Sequence, residues 1–516
     1  MGFFKKLTST VWGKCTLGVV GAALVGGIVF ACFMLFKPSD KYCSVIPKDA
    51  VLVAKGNLAD LIKESEIDLN KTCKQLDIKE SDILETGIDI TKNAYVFVMK
   101  PEKGKADELT MGSVVALKDM AAFEKYIGKE DMKPTDKGDY KEFVSPDNSL
   151  GFCFDNEKLL VLKSVLDEDI TSDKLAKLMK QEKSESVLKT DLYSELRKND
   201  EPLALAADLS ALKLFMSDSE YKQLTKSAQF YKYEDFHVRL GLKLDGNKLI
   251  LGTDVLPQTD EAKEKMKEAR MAFGKIQGDF FSTGDKAILW FGCNVVGEGL
   301  AKIVENAINA SSEIKMALAF IPVNVMDIIR SFNGDMTFYL NDEIASGSVK
   351  GGFYAKLSKT DEIKKVFNLL QLSLGSEGAG MLETKGENQF SINIARLDEE
   401  TDTVSISDGP SFGDNIFFGM KNNVLYVSNT DDKLPTNQAA GMTAAYEKGI
   451  KSMEHYTVID LKTIVKLANQ IAPNMLNGFV NSNIIDKLTF TCDKNSHCEM
   501  TLSVDEGKKF MNLFLN

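Results

Sequence analysis

Histidine is nearly missing from this chain of 516 residues, which has three: His237, His455 and His497. None stands in a pair at metal-ligand spacing, which argues against hydrolysis by a zinc ion held on imidazoles. Proline is scarce too, at 11, and with 44% hydrophobic residues the chain reads as globular rather than as a disordered stalk. Cations are outnumbered, 63 Lys and Arg against 75 Asp and Glu, for a net charge of −12. The first forty residues carry Lys5, Lys6, Lys14 and Lys37 against Asp40 alone, so the remainder is more acidic still. Phosphate binding needs clustered cations, which argues against nucleic acid or an anionic lipid surface as partner.

Cysteines are few and unevenly placed. Cys43, Cys73, Cys153 and Cys293 are scattered, as buried free thiols are. Cys492 and Cys498 instead bracket DKNSH between LTFT and EMTLSV. They would face one another across a β-hairpin, a candidate cross-strand disulfide in an oxidising compartment and two reduced thiols otherwise. With His497 between them they do not form the two well-separated ligand pairs of a zinc finger.

One long apolar run is present. Cys15 to Phe36 carries no charge over 22 residues, a helix of about 33 Å against a hydrocarbon core of roughly 30 Å. The expectation is an uncleaved single-pass anchor in the inner membrane, with the N-terminus inside and the rest periplasmic. Cys32 as an acylated lipoprotein residue is the alternative, disfavoured by Phe30 and by the apolar Phe33 to Phe36 that follow. Gly18, Ala22 and Gly26 repeat every four positions, a candidate helix–helix contact that would support a homodimer. The expected organisation is residues 1–14 as cytoplasmic tail, 15–36 as transmembrane helix, 37–45 as tether, 46–279 as a first module and 280–516 as a second.

The two modules come from repetition. A strand, a capping residue and a helix start follow one another in IPKDAVLVAKGNLADLI, in LALAADLSALKLF and in YTVIDLKTIVKL, and more loosely in ILWFGCNVVGEGLAKIV. Strand-to-helix units recur at GSVVALKDMAAFEKYI and GGFYAKLSKTDEIKKVF, and hairpins at GFCFDNEKLLVL and IFFGMKNNVLYV. Equivalent points lie 237 (Asn57 to Asn294) to 265 residues (Phe152 to Phe417) apart, far beyond solenoid periods. The fold class expected is α+β, a tandem duplication of a module whose mainly antiparallel sheets are covered by helices, after one N-terminal transmembrane helix. MALAFIPVNVMDII, from Met316, is the most apolar stretch beyond the anchor and reads as a buried helix pair, with a ligand groove as alternative.

Catalytic patterns fail on context. Gly409 to Gly413 fits G-x-S-x-G around Ser411, but no strand leads in and no helix follows, as a nucleophile elbow requires. Ser373 to Gly380 is glycine-rich but is followed by no phosphate-binding lysine, and Asp398, Glu399, Glu400 and Asp402 lack the spacing of a calcium loop. No catalytic, cofactor or metal residues are assigned.

IPKDAVLVAKGNLADLI after an N-terminal anchor, then GIDITKNAYVFV at Gly87 to Val98, resembles an uncharacterised family abundant in Bacteroidales bacteria. Its members carry a lipoprotein signal or a membrane anchor and one long domain of unknown function, and the similarity runs from about Ile46 to the C-terminus. The resemblance implies a cell-envelope protein and supplies no catalytic or binding residues. The functional expectation is a non-enzymatic protein that binds or scaffolds an envelope partner. The alternative is a binder of an apolar ligand or lipid in a groove between the modules.

Overall fold

The computed structural model describes residues 40–56, 60, 86–89, 91–100, 109–129, 132–166, 169–212, 216–217, 219–222, 232–310, 315–316, 318, 321–341, 350–377, 382–393, 415–430, 433–471 and 484–510. Contacts divide the chain into two units, residues 1–222 with 236–245, and residues 223–235 with 246–516.

In the first unit the strands are β1 (Ala50–Gly56), β2 (Ala94–Met99), β3 (Leu109–Ala116), β4 (Thr135–Asp136), β5 (Lys141–Val144), β6 (Leu150–Phe154), β7 (Lys158–Leu166), β8 (Leu203–Asp208) and β9 (Phe236–Asp245). They pair antiparallel in the order β9-β8-β1-β2-β3-β7-β6-β5-β4. Sequences such as AYVFVM are apolar at every position, as strands buried on both faces are. One face packs Val53, Tyr95, Phe97 and Leu160 against Leu175 and Leu196 of the helices Ser172–Lys180 and Asp191–Arg197. The other packs Leu52, Val98, Phe152 and Phe154 against Phe123 and Ile127 of the helix Met120–Lys129. Gly112 lies opposite Phe97, and a Cβ there would meet the ring at 2.0 Å, so the bare backbone makes room for the aromatic.

The second unit contains β10 (Lys248–Pro257), β11 (Phe273–Gly274), β12 (Ala287–Val296), β13 (Phe332–Asn341), β14 (Gly351–Leu357), β15 (Leu382–Gly386), β16 (Gln389–Asn393), β17 (Asn415–Lys421), β18 (Val424–Ser428), β19 (His455–Asp460), β20 (Ile485–Cys492) and β21 (His497–Val504). Their order is β10-β21-β20-β19-β12-β13-β14-β18-β17-β16-β15, again antiparallel, with the short β11 also on β12. From β20 to β15 this is the strand order of the first unit, position for position. One face holds Trp290, Tyr339, Tyr354, Tyr426 and Val458 against Met442 and Ile450 of the helix Gly441–Ile450. The Trp290 indole N–H donates to Thr283 Oγ1 at 3.0 Å, which satisfies the one polar atom of that buried ring.

Three expectations are corrected. The α+β balance, with helices covering the sheets of each module, gives way to a fold that is more sheet than helix, with 21 antiparallel strands among the described residues. Tight hairpins join many of the strands, and their backbone polar groups are satisfied in ladders. After β8 the expected helix start is a 3-10 turn, Leu209–Ala211, capped by Asp208 and passing into helical Leu212. The inner-membrane, single-pass placement is corrected as well: among the described residues no helix is long and apolar enough to cross a membrane. The 17-residue helix Asp361–Glu377 would span about 25 Å, short of roughly 30 Å, and carries charges at Asp361, Glu362, Lys364 and Lys365. Cys15 to Phe36, with Gly18, Ala22, Gly26 and Cys32, lies outside the described residues. The apolar stretch from Met316 also departs from a buried helix pair: Met316 is 63% exposed, Ile321 is exposed, and after Pro322 the Asn324 side chain caps a helix of seven residues, Val325–Ser331.

Candidate functional site

Residues directly opposite one another in an antiparallel ladder project from the same face of the sheet. In the second unit this rule traces one continuous row: Thr253, Cys498, Cys492, His455, Cys293 and Met336. Two residues along each strand lies a second row on the same face: Leu251, Met500, Phe490, Thr457, Phe291, Phe338, Phe353 and Val427. The opposite face is the sealed aromatic core around Trp290. This face is sealed only in part: toward β16–β18, Leu357, Phe390 and Met420 pack against Ile363 and Phe367 of the helix Asp361–Glu377. Val255, Phe338, Val427 and Phe490 are 38%, 38%, 43% and 40% exposed. Leu251, Met500, Phe291 and Phe353 are half-buried.

From β10 to β18 the face crosses eight strands, about 34 Å at roughly 4.8 Å per strand. Scattered exposed apolar residues are ordinary on a protein surface, whereas a set aligned by register on one face is a candidate interaction surface. Phe338 and Val427 stand on strands two apart, with half-buried Phe353 between them.

His455 is the polar exception in this setting. Its Nε2 lies 3.0 Å from Thr457 Oγ1, and its ring meets Phe291 and Phe490 edge-on at centroid distances of 4.8 and 5.6 Å. Burial lowers its pKa, so the imidazole is neutral at pH 7 and sits among the aromatics as a ring rather than as a charge. The neighbouring Glu454 carboxyl is pushed above its ordinary value, first by burial and then by the Asp493 charge.

A disulfide joins Cys492 to Cys498 across the β20–β21 ladder, with the Cα atoms 4.2 Å apart. His497, adjacent in the chain, points to the other face, where its Nδ1 lies 2.9 Å from Asp254 Oδ1. Strand alternation therefore separates the three residues that cluster in sequence. Cys293 is buried, and burial, with the Asp335 charge second, pushes its thiol up to about 12, where it is no nucleophile. Asp335 itself is buried and fully engaged: its oxygens accept from the backbone N–H groups of Gln277, Gly278 and Asp279 and from Asn294 Nδ2, at 2.6 to 3.1 Å.

Of the catalytic patterns weighed in the sequence, Ser411 and the acidic run from Asp398 to Asp402 lie outside the described residues. Residues Ser373 to Glu377 of the glycine-rich stretch belong to the helix Asp361–Glu377. Among the described residues no group of three or more His, Cys, Asp and Glu side chains is placed to hold a metal ion. The apolar face was not read from the sequence. Its signal is a pair of interleaved apolar series in strands such as AILWFGCNVV, where both alternating sets are hydrophobic and one is left half-covered.

A family model described as a domain of unknown function, DUF4836, matches residues 67–501. The chain belongs to the DUF4836 family. No curated protein matches it. A solved structure, described as crystal form I of TP0453, is similar at 12% identity over 43% of this chain and 80% of that one, with a TM-score of 0.26. At that score the likeness carries no argument about this DUF4836 chain.

Proposed function

We propose that this DUF4836 protein is a non-enzymatic binding protein whose second unit docks a protein partner on the open apolar face of its sheet. The observation that carries the reading is the alignment of Val255, Phe338, Val427 and Phe490, each more than a third exposed, on the one face that the aromatic core does not occupy. A broad face suits a protein surface better than a small apolar ligand, which takes an enclosed pocket. The net charge of −12 favours a partner whose apolar centre is rimmed by basic residues. The motifs quoted from Ile46 to Val98 support a Bacteroidales source as part of the same reading.

The test is crosslinking with mass spectrometry on the tagged full chain in its native cells, compared with the double variant F338K/F490K. The expected result is a reproducible partner crosslinked to the second unit, lost in the variant, while the variant's melting temperature stays near that of the parent. Recovery of the same partner by the variant, or of none by the parent, contradicts the proposal.

A further inference from the structure

β15 ends the strand order of the second unit: it pairs with β16 on one side, and among the described residues no strand pairs with its other side. Its sequence is LETKG, and it is held to the sheet at its start, where Leu382 packs on the core that Ile363 and Phe367 of the helix Asp361–Glu377 form with Phe390 and Met420. Gln371 Nε2 of the same helix donates to Thr384 Oγ1 at 3.4 Å, so this part of the helix lies over the edge. Beyond Leu382, Glu383, Thr384 and Lys385 are all exposed. Successive residues of a strand project to opposite faces, so both faces are open along this edge. Such an edge carries a row of backbone N–H and C=O groups that can template a further strand.

The charges along the edge select the partner. A lysine alone on an edge strand guards against pairing. Here Glu383 accompanies it: the register against β16 shifts after Thr384, and Lys385 Nζ lies 2.6 Å from Glu383 Oε2, which places both side chains on one side of the strand. Two antiparallel β15 strands related by a twofold axis through Thr384 set Thr384 opposite its own copy, Leu382 opposite Gly386, and Glu383 opposite Lys385 at two symmetric positions. Opposite charges directly across a ladder stabilise it and like charges destabilise it. Centring the axis on Glu383 or on Lys385 instead brings like charges together, so one register is favoured. Beside the seam, Leu369 and Leu370 of the helix are 36% and 37% exposed. We propose that β15 is the dimerisation edge of this protein, pairing antiparallel with β15 of a second copy so that the two sheets become continuous. Nothing in this depends on the open apolar face of the same unit.

Sedimentation equilibrium of the full chain and oxidative crosslinking of T384C test this. The parent should form a reversible dimer. T384C, which meets its own copy across the seam, should form a disulfide-linked dimer on oxidation, whereas the equally exposed control S452C should not. E383K and K385E each place like charges opposite one another at two positions and should weaken the dimer about tenfold or more, while the swap E383K/K385E should restore it. The substituted side chains are exposed, so the circular dichroism of each variant should match that of the parent. A monomeric parent, T384C crosslinking no better than S452C, single reversals that dimerise as the parent does, or a swap that fails to restore the dimer overturns the proposal. A monomeric parent whose T384C variant crosslinks in cells to a different chain assigns the edge to another protein and overturns it as well.

Discussion

Individual side chains in the second unit show how polar groups are accommodated in a sheet that is apolar on both faces. Asp335 is tolerated in the interior because three backbone N–H groups and an amide converge on it. Replacing it with alanine strands those donors, and D335A should lose about 3 kcal/mol or more in urea unfolding. His455 gives a pH signature. Its folded-state pKa is lowered by burial, so the unfolded chain binds the proton more readily. The stability it contributes is complete above its ordinary pKa of about 6.5 and is lost as pH falls below that toward the lowered folded value. Between pH 7.5 and pH 5, the urea midpoint of the parent should therefore fall further than that of H455Q. Glu454, raised rather than lowered, acts in the opposite direction but equally in both proteins, and cancels in the comparison.

Among the elements, the hairpins were the most legible part of the fold. KNN between IFFGM and VLYV calls for two residues at positive φ, and Asn422 and Asn423 take φ values of 51° and 58° in the turn between β17 and β18. Caps were legible too: in the strand, cap and helix units LALAADLSALKLF and YTVIDLKTIVKL, Asp208 accepts from the Ser210 N–H and Asp460 from the Thr463 N–H. The extent of each helix was not, because a cap fixes where a helix begins while its length depends on the apolar face available to pack. Asp208 and Asp460 cap in similar sequence contexts, yet one opens on a 3-10 turn, Leu209–Ala211, and the other directly on the helix Leu461–Ile471. The β20–β21 hairpin is additionally tied by Cys492–Cys498, a loop with a sequence separation of 6. Reduction, or the C492S/C498S pair, should cost about 2 kcal/mol, read as a lower urea midpoint that reductant no longer changes in the double variant.

For the whole molecule, the strand order β9-β8-β1-β2-β3-β7-β6-β5-β4 of the first unit is met again in the second, while the surfaces differ. Strand pairing follows from hydrophobic periodicity, which both halves carry. The state of a sheet face depends on what lies across it, and no local pattern records that. Phe338 and Tyr339 are neighbours of similar size and aromatic character, yet Tyr339 is buried against Tyr354 in the aromatic core and Phe338 is 38% exposed. Likewise a cleft in the first unit, lined by Lys133, Glu142 and Ser172 among others, joins residues that show no common motif in sequence. The central claim is that the open face of the second unit is a docking surface, and carbene footprinting of the full chain, purified and in intact native cells, measures this directly. The account predicts that Val255, Phe338, Val427 and Phe490 label strongly in the purified protein and are protected in cells, with exposed residues such as Met271 unchanged in both. Equal labelling of the four in cells and in solution would contradict it.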